Sequence, residues 1–248
     1  MKTTTPFLIC AALVAATHAP SARAQGYQVQ PMLATMAPSG PGAAIRMTLR
    51  NTGTVPITLE LEPFRVSVTE AGVPTRAPED KDLLVFPPQT IVPPGKEQVV
   101  QVRYVGDPAL TQARAYGVRV SQVPVSFAQG ANGSRGANAE VQMSFTFLSH
   151  LFVTPAGATG AVDVKSAAKA PDGTVKLSVV NPGKAVLVLN DAVWTLEDGA
   201  GHKAEVKNED VNLGDFSALL PGEPRIATVA AKDVTALNGP LRASVRLP

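Results

Sequence analysis

Reactive side chains are scarce in this chain. It holds three histidines and one cysteine among 248 residues, and His18 and Cys10 both lie in the first, apolar segment. That leaves His150 and His202. An imidazole can act as a general base, a metal ligand or a hydrogen-bond donor to a carboxylate. A Ser-His-Asp set would have to be built on one of these two, and neither is accompanied by a nucleophile-elbow pattern. Two histidines without cysteine are a poor start for a metal site, which draws three or four N, S or O donors from the protein. The glycine-rich run at residues 129–136 precedes a strand pattern rather than a helix, so it is not a phosphate loop. Glu70, Glu79, Asp80 and Asp82 fall in a polar, proline-bearing stretch that reads as solvated loop. His202 reads as a loop histidine and Trp194 as core. The expectation is a protein that is not an enzyme, with no cofactor and no metal.

The chemistry that remains is that of the main chain. In residues 140–153, EVQMSFTFLSHLFV, Val141, Met143, Phe145 and Phe147 alternate with Gln142, Ser144 and Thr146. This is the period of a strand with one dry face. From Leu148 the run is nearly continuously apolar, broken by Ser149 and His150, until Pro155-Ala156-Gly157 stops it. One long strand therefore spans two environments, and its first half has the pattern of an edge that pairs with another chain.

The elements around it are strands as well. Short period-2 runs recur between turn residues, the pattern of an all-β sandwich. A first strand covers 27–36, with Pro31 at an edge position. Ile45, Met47 and Leu49 alternate with Arg46, Thr48 and Arg50, and Asn51-Thr52-Gly53 turns the chain. Strands follow from Ile57 to Val68, a loop covers 71–82, and a Pro-Pro-Gly turn at 93–95 leads into a strand over 99–104. Asp107-Pro108 predicts a short helical turn to about residue 112. A strand over 116–124 and a loop over 126–139 lead into the long strand. After Pro155 the pattern restarts in a second set of short strands. The halves echo each other, each with a strand ending in Asn (Asn51, Asn181) and a later Pro-Gly (Pro94-Gly95, Pro221-Gly222).

The first 24 residues read as a secretory signal: Lys2, an apolar core over 7–16 too short to span a bilayer, and Ala22-Arg23-Ala24 as the cleavage site. The leader carries two of the 22 basic residues and none of the 20 acidic ones, so the mature chain is close to neutral. That gives no global field to attract nucleic acid. Without cysteine after the leader, the core alone must hold the fold in an oxidising compartment. The length suits two domains, 25–154 and 155–248. The expected location is the periplasm.

The order of these landmarks resembles the periplasmic pilus chaperones of the chaperone–usher pathway, the PapD-like proteins. The resemblance rests on Leu49-Arg50-Asn51, on Phe86-Pro87-Pro88 with 91–95, and on 118–124. It rests further on the glycine-rich loop with the alternating strand 141–147, on 151–155, and in the second half on Asn181-Pro182 and Leu220-Pro221-Gly222. It implies two immunoglobulin-like β-sandwich domains joined at an angle. It also implies that the alternating strand is lent to an incomplete pilus or fimbrial subunit until another subunit replaces it at the outer-membrane usher, a case of β-strand addition. Burying Val141, Met143, Phe145 and Phe147 in a subunit would contribute about 6–12 kcal/mol gross. Left bare, such a strand invites self-association in the free state or cover by the mobile loop.

One anchor departs from the family pattern. Family members grip the subunit's terminal carboxylate with an Arg on the first strand and a Lys just before the Leu-Phe of the long strand. Here His150 stands in the Lys position, and 27–36 holds neither Arg nor Lys. His150 is the candidate carboxylate contact, with Arg119, or else Arg46 or Arg50, as the basic partner; the bland alternative is a structural histidine at the domain junction. The rival reading of the whole chain is a structural or adhesive cell-surface immunoglobulin-like module. A metal-dependent periplasmic hydrolase is a third class that the scarcity of ligands argues against.

Overall fold

The computed structural model describes residues 26–123 and 144–248. The leader, the glycine-rich loop, and Val141 and Met143 lie outside the described residues. Ten strands form the first sandwich: β1 (Tyr27–Gln30), β2 (Leu33–Met36), β3 (Ala44–Asn51), β4 (Ile57–Val68), β5 (Pro74–Pro78), β6 (Leu83–Phe86), β7 (Gln89–Val92), β8 (Glu97–Tyr104), β9 (Arg114–Val123) and β10 (Thr146–Val153). One sheet runs β1-β3-β8-β6, and the facing sheet runs β2-β10-β9-β4-β5 with β7 also on β4. Inward side chains at every second position, such as Met47 and Leu49, Val100 and Val102, Val118 and Val120, and Leu151 and Val153, build one core.

Three sequence expectations need correction here. The strand expected over 27–36 is two strands in different sheets: β1 pairs antiparallel with β3, and β2 pairs parallel with β10. Pro31 has no amide to continue the first ladder, and the chain crosses the open side of the sandwich there. The stretch expected to be loop over 71–82 contains β5, an edge strand on β4 whose ends are prolines. The helical turn expected from Asp107 is a plain turn, with Asp107 Oδ1 accepting from the Ala109 amide at 2.8 Å. The Ala113 amide is then drawn across to the Lys184 carbonyl at 2.7 Å, so the chain leaves the turn extended.

The second sandwich is built from β11 (Asp163–Lys169), β12 (Val175–Val180), β13 (Leu187–Val188), β14 (Val193–Asp198), β15 (Lys203–Lys207), β16 (Val211–Asn212), β17 (Ala218–Leu219), β18 (Pro224–Val229) and β19 (Leu241–Arg246). Its sheets are β11-β12-β18-β16, β15-β14-β19 and the short pair β13-β17. Trp194 is buried in its core, and its indole donates to Asn208 Oδ1 at 3.0 Å.

The two strand-ending asparagines do the same work. Asn51 is fully buried and donates to the Val55 carbonyl at 2.8 Å and the Val92 carbonyl at 2.9 Å, while its Oδ1 accepts from Gly53. Asn181, equally buried, donates to Ala185 at 2.8 Å and Leu219 at 3.0 Å, and its Oδ1 accepts from Gly183 and Ala161. Each clips a turn closed and ties it to a third segment. Asn181→Ala strands two amides and two carbonyls, that of Leu219 fully buried, and should cost the second domain about 3 kcal/mol. A urea titration read on Trp194 fluorescence measures it.

A third apolar cluster joins the domains. Phe64, Val66, Val68, Ala115 and Phe152 on the outer face of the β10-β9-β4 sheet meet Phe216, Ala218 and Leu220. The β4–β5 turn also docks directly: the Ile226 amide donates to the Glu70 carbonyl at 2.8 Å. Arg225 is 1% exposed and donates to the carbonyls of Leu213, Phe216 and Ala218, bracing the loop that carries Phe216 onto the first domain.

Candidate functional site

The described part of the long strand begins in extended chain at Ser144 and becomes β10 at Thr146. On one side it pairs with β9 throughout, from Thr146↔Ser121 to Val153↔Arg114. On the other side β2 covers only His150 to Val153. The direction of each main-chain group follows from the bonds. The Phe145 carbonyl accepts from Gln122 on β9, whereas the amides of His150 and Thr154 donate to Met32 and Met36. Odd positions therefore turn their main chain to β9 and even positions turn it away. Past the start of β2, Thr146 and Leu148 have no backbone partner on that outer side among the described residues. This is an open stretch of edge, with Met32 and Leu33 exposed at its end.

Side-chain direction separates the same strand into two roles. Phe147, Leu151 and Val153 pack on the first core, and Leu148 and Phe152 pack on the cluster between the domains. Phe145 is 38% exposed. Phe147 is half-buried, its ring meeting Tyr27 edge-on with centroids 4.9 Å apart. Of the four expected pocket fillers, Phe145 is thus the exposed one, Phe147 lies at the rim of the protein's own core, and Val141 and Met143 fall outside the described residues. Ser149, read from the sequence only as a break in the apolar run, is fully buried, and its hydroxyl donates to the Pro31 carbonyl at 2.7 Å, fixing the β1–β2 corner beside the open edge.

His150 stands on the interdomain face of β10. It pairs with Gly117, and the lack of a side chain there lets the Phe64 ring lie across β9, since a Cβ on Gly117 would come within 2.3 Å of Phe64 Cζ. The imidazole is edge-on to Phe64 at 6.0 Å between centroids and to Phe216 of the second domain at 5.4 Å. Its Nε2 is buried without a hydrogen-bond partner among the described residues, and so is Nε of Arg76 on β5. Burial first, and the Arg76 charge second, hold the imidazole below its ordinary pKa of 6.5. Arg119 is the other sequence candidate. Its guanidinium donates to Glu62 at 3.1 Å, and it stands opposite Leu148 on β9. The structure brings Arg76, not Arg119, into electrostatic reach of His150. Nothing in the 71–82 stretch marked Arg76, because that stretch reads as loop until β5 is seen to pair.

The other candidates are structural. Asp82 accepts from Tyr116 at 2.7 Å and faces Arg114 at 3.4 Å, so of the acidic residues of 70–82 this one is tied to β9. Asp198 accepts from the amides of Ala200, His202 and Asn238, and from the His202 ring; these bonds, His202 foremost, hold its carboxyl down at about 2. That pair closes a turn. Arg65, Gln112, Arg114 and Glu223 line a shallow cleft at the domain seam, at the far end of β10 from its open edge. Among the described residues no three His, Cys, Asp or Glu side chains cluster to hold a metal, and no helix is long and apolar enough to cross a membrane.

Comparison with known proteins adds a family and a fold. The family of pili and flagellar-assembly chaperones, PapD N-terminal domain, matches residues 29–159. No curated sequence relative matches the chain. Among solved structures, the class 5 fimbriae chaperone CfaA is similar with a TM-score of 0.58 at 10% identity, covering 90% of this chain and 98% of that one. The CsuC–CsuE chaperone–tip adhesion subunit complex of Acinetobacter baumannii gives 0.55 at 12%, covering 83% and 88%. The Escherichia coli chaperone DraB gives 0.54 at 15%, covering 84% and 86%. At these identities the likeness establishes the fold, two immunoglobulin-like sandwiches in one chain.

Proposed function

From the premise that the chain belongs to the family of pili and flagellar-assembly chaperones, to which its residues 29–159 match, we propose that it binds exported pilus or fimbrial subunits by lending them β10 and the segment that precedes it. The observation that carries this is the open outer edge at Thr146 and Leu148, beside an exposed Phe145, on a strand otherwise fixed by β9. A subunit strand added there gains ladder hydrogen bonds and a place to seat alternate side chains of 141–147. The chaperones in two of the solved complexes are bound to a tip adhesin or tip adhesion subunit, which supports a partner of that kind. The work needs no catalysis and no cofactor, takes place in the periplasm, and hands the subunit to an outer-membrane usher. The domains divide near 154/155. Coexpression with an exported subunit tests the reading: the subunit should be recovered in complex with the chain and be degraded without it. If the intact chain recovers none, the cell-surface module becomes the better reading.

The same proposal assigns the end of the subunit chain to His150 and Arg76. Both carry a buried nitrogen without a partner among the described residues, and a carboxylate would satisfy both. Arg119, engaged by Glu62, is the weaker candidate. A pH dependence follows. The folded protein holds His150 below 6.5, so the unfolded state takes up its proton first. The stability of the free chain is therefore full above about pH 6.5 and falls as the pH drops through that value. A bound carboxylate reverses the sign locally by stabilising the imidazolium, so the complex should tighten relative to the free protein on acidification. Nuclear magnetic resonance titration of His150, free and bound, reads both shifts. An unchanged His150 titration on binding would remove it from the anchor.

A further inference from the structure

Tyr27 opens β1, at the edge of one sheet, and its side chain crosses to the edge of the other. It is 4% exposed. Its hydroxyl lies 2.7 Å from the Val120 carbonyl oxygen on β9 and 2.8 Å from that of Phe145, just ahead of β10. Its ring receives Phe147 edge-on. Burial raises the phenol's pKa, so the group stays protonated and can donate. A phenol has one proton, and the two carbonyls share it. The alternative tie between Phe145 and β9, the Gln122 amide on the Phe145 carbonyl, is longer at 3.3 Å. From 146 to 149 the chain has a ladder partner on one side only among the described residues, and beyond that ladder it is tied at its ends by Ser144 Oγ on the Gln122 carbonyl at 3.1 Å and Ser149 Oγ on the Pro31 carbonyl at 2.7 Å.

We infer that Tyr27 is the positioning residue of the lending strand: from the opposite sheet it pins the Phe145 carbonyl and the Phe147 ring, and so holds Thr146 and Leu148 extended with their main-chain groups turned outward. The inference rests on the strand-lending reading and adds the reason that the edge is preorganised. A strand already extended loses less conformational freedom when a partner pairs with it, which favours binding without a new contact to the partner.

Tyr27→Phe keeps the ring and removes only the hydroxyl; Tyr27→Leu removes both. Two measurements are made on the full chain: amide exchange in the free protein, and capture of a coexpressed subunit. In Tyr27→Phe, exchange at the Gln122 amide and at the β9-facing amides of Phe147 and Ser149 should quicken about tenfold, with the rest of the first domain unchanged. Subunit capture should fall by a similar factor, and Tyr27→Leu should exceed it on both counts. Wild-type exchange at the Gln122, Phe147 and Ser149 amides in Tyr27→Phe overturns the inference. A uniform rise across the first domain also overturns it, because the hydroxyl would then be a general core support. Local quickening in the variant, together with no subunit captured by wild type, upholds the pin and removes the strand-lending reading, so the two failures are distinguishable.

Discussion

Thr146→Pro should leave the chain folded and abolish recovery of a subunit. The Thr146 amide points to the open side of β10, where no described strand pairs with it, so its loss removes no ladder bond to β9. Proline is tolerated at such edge positions. For a strand arriving from outside, the same change deletes a donor and puts a ring where the partner's carbonyl must approach. Adding Phe145→Asp places a charge at the exposed apolar position and forfeits about 1.5–3 kcal/mol of burial on binding. Together these should weaken capture by at least about a hundredfold, an effect of about 3 kcal/mol. The free protein should lose only a few degrees of thermal midpoint. Calorimetry on the purified variant and pull-down of the coexpressed subunit give the two numbers. A variant that unfolds would show that this segment supports the protein's own sandwich. A folded variant that still captures the subunit would place the binding edge elsewhere.

The clean period of Ile45, Met47 and Leu49 made the strands legible, because in a sandwich one face of each strand must be apolar; of the alternating run 141–147 only its end, from Thr146, falls in a described strand. The echo of Asn51 and Asn181 was legible as a repeat, though not as the buried clip each proves to be. What escaped was set across the chain rather than along it. The split of β1 from β2 depends on where β10 lies, so Pro31 alone could mark an edge but not a change of sheet. Arg76 gains meaning only because β5 pairs with β4, which carries it toward His150 on the interdomain face. Tyr27 and Ser149 act on carbonyls 118 positions away, Phe145 and Pro31, and no local pattern encodes such a contact. Residue type pointed to main-chain chemistry at the long strand; the geometry around that strand came from packing.

Gly72→Val should uncouple the two domains. Gly72 lies at the tip of the β4–β5 turn with φ +81°, and a Cβ there would sit 2.1 Å from the Leu213 carbonyl oxygen and 2.7 Å from Gly214 Cα. Gly214 faces it with φ +83°, and its own Cβ would come within 2.5 Å of the Ala71 carbonyl. Both obstacles are backbone, so no rotamer relieves them, and both positions are in the left-handed region that penalises a β-branched residue. The turn must withdraw, which breaks the Ile226–Glu70 bond beside it and loosens the Phe216 loop from Phe64 and His150. Gly40→Val provides the control. Its φ is +70° and its ψ −159°, a glycine-favouring conformation, with nothing within 4 Å of the added carbon, so it reports a backbone penalty without a clash, about 1–3 kcal/mol. The difference between the variants isolates the close approach. Small-angle scattering should show Gly72→Val with a larger radius of gyration and Gly40→Val unchanged, while each domain keeps its own unfolding transition. Because His150 and Phe216 meet across this seam, subunit capture should fall with the domain angle even though β10 is intact. An unchanged scattering profile would mean that the Phe64, Phe152 and Phe216 cluster alone fixes the angle, and that the glycine pair merely fits it.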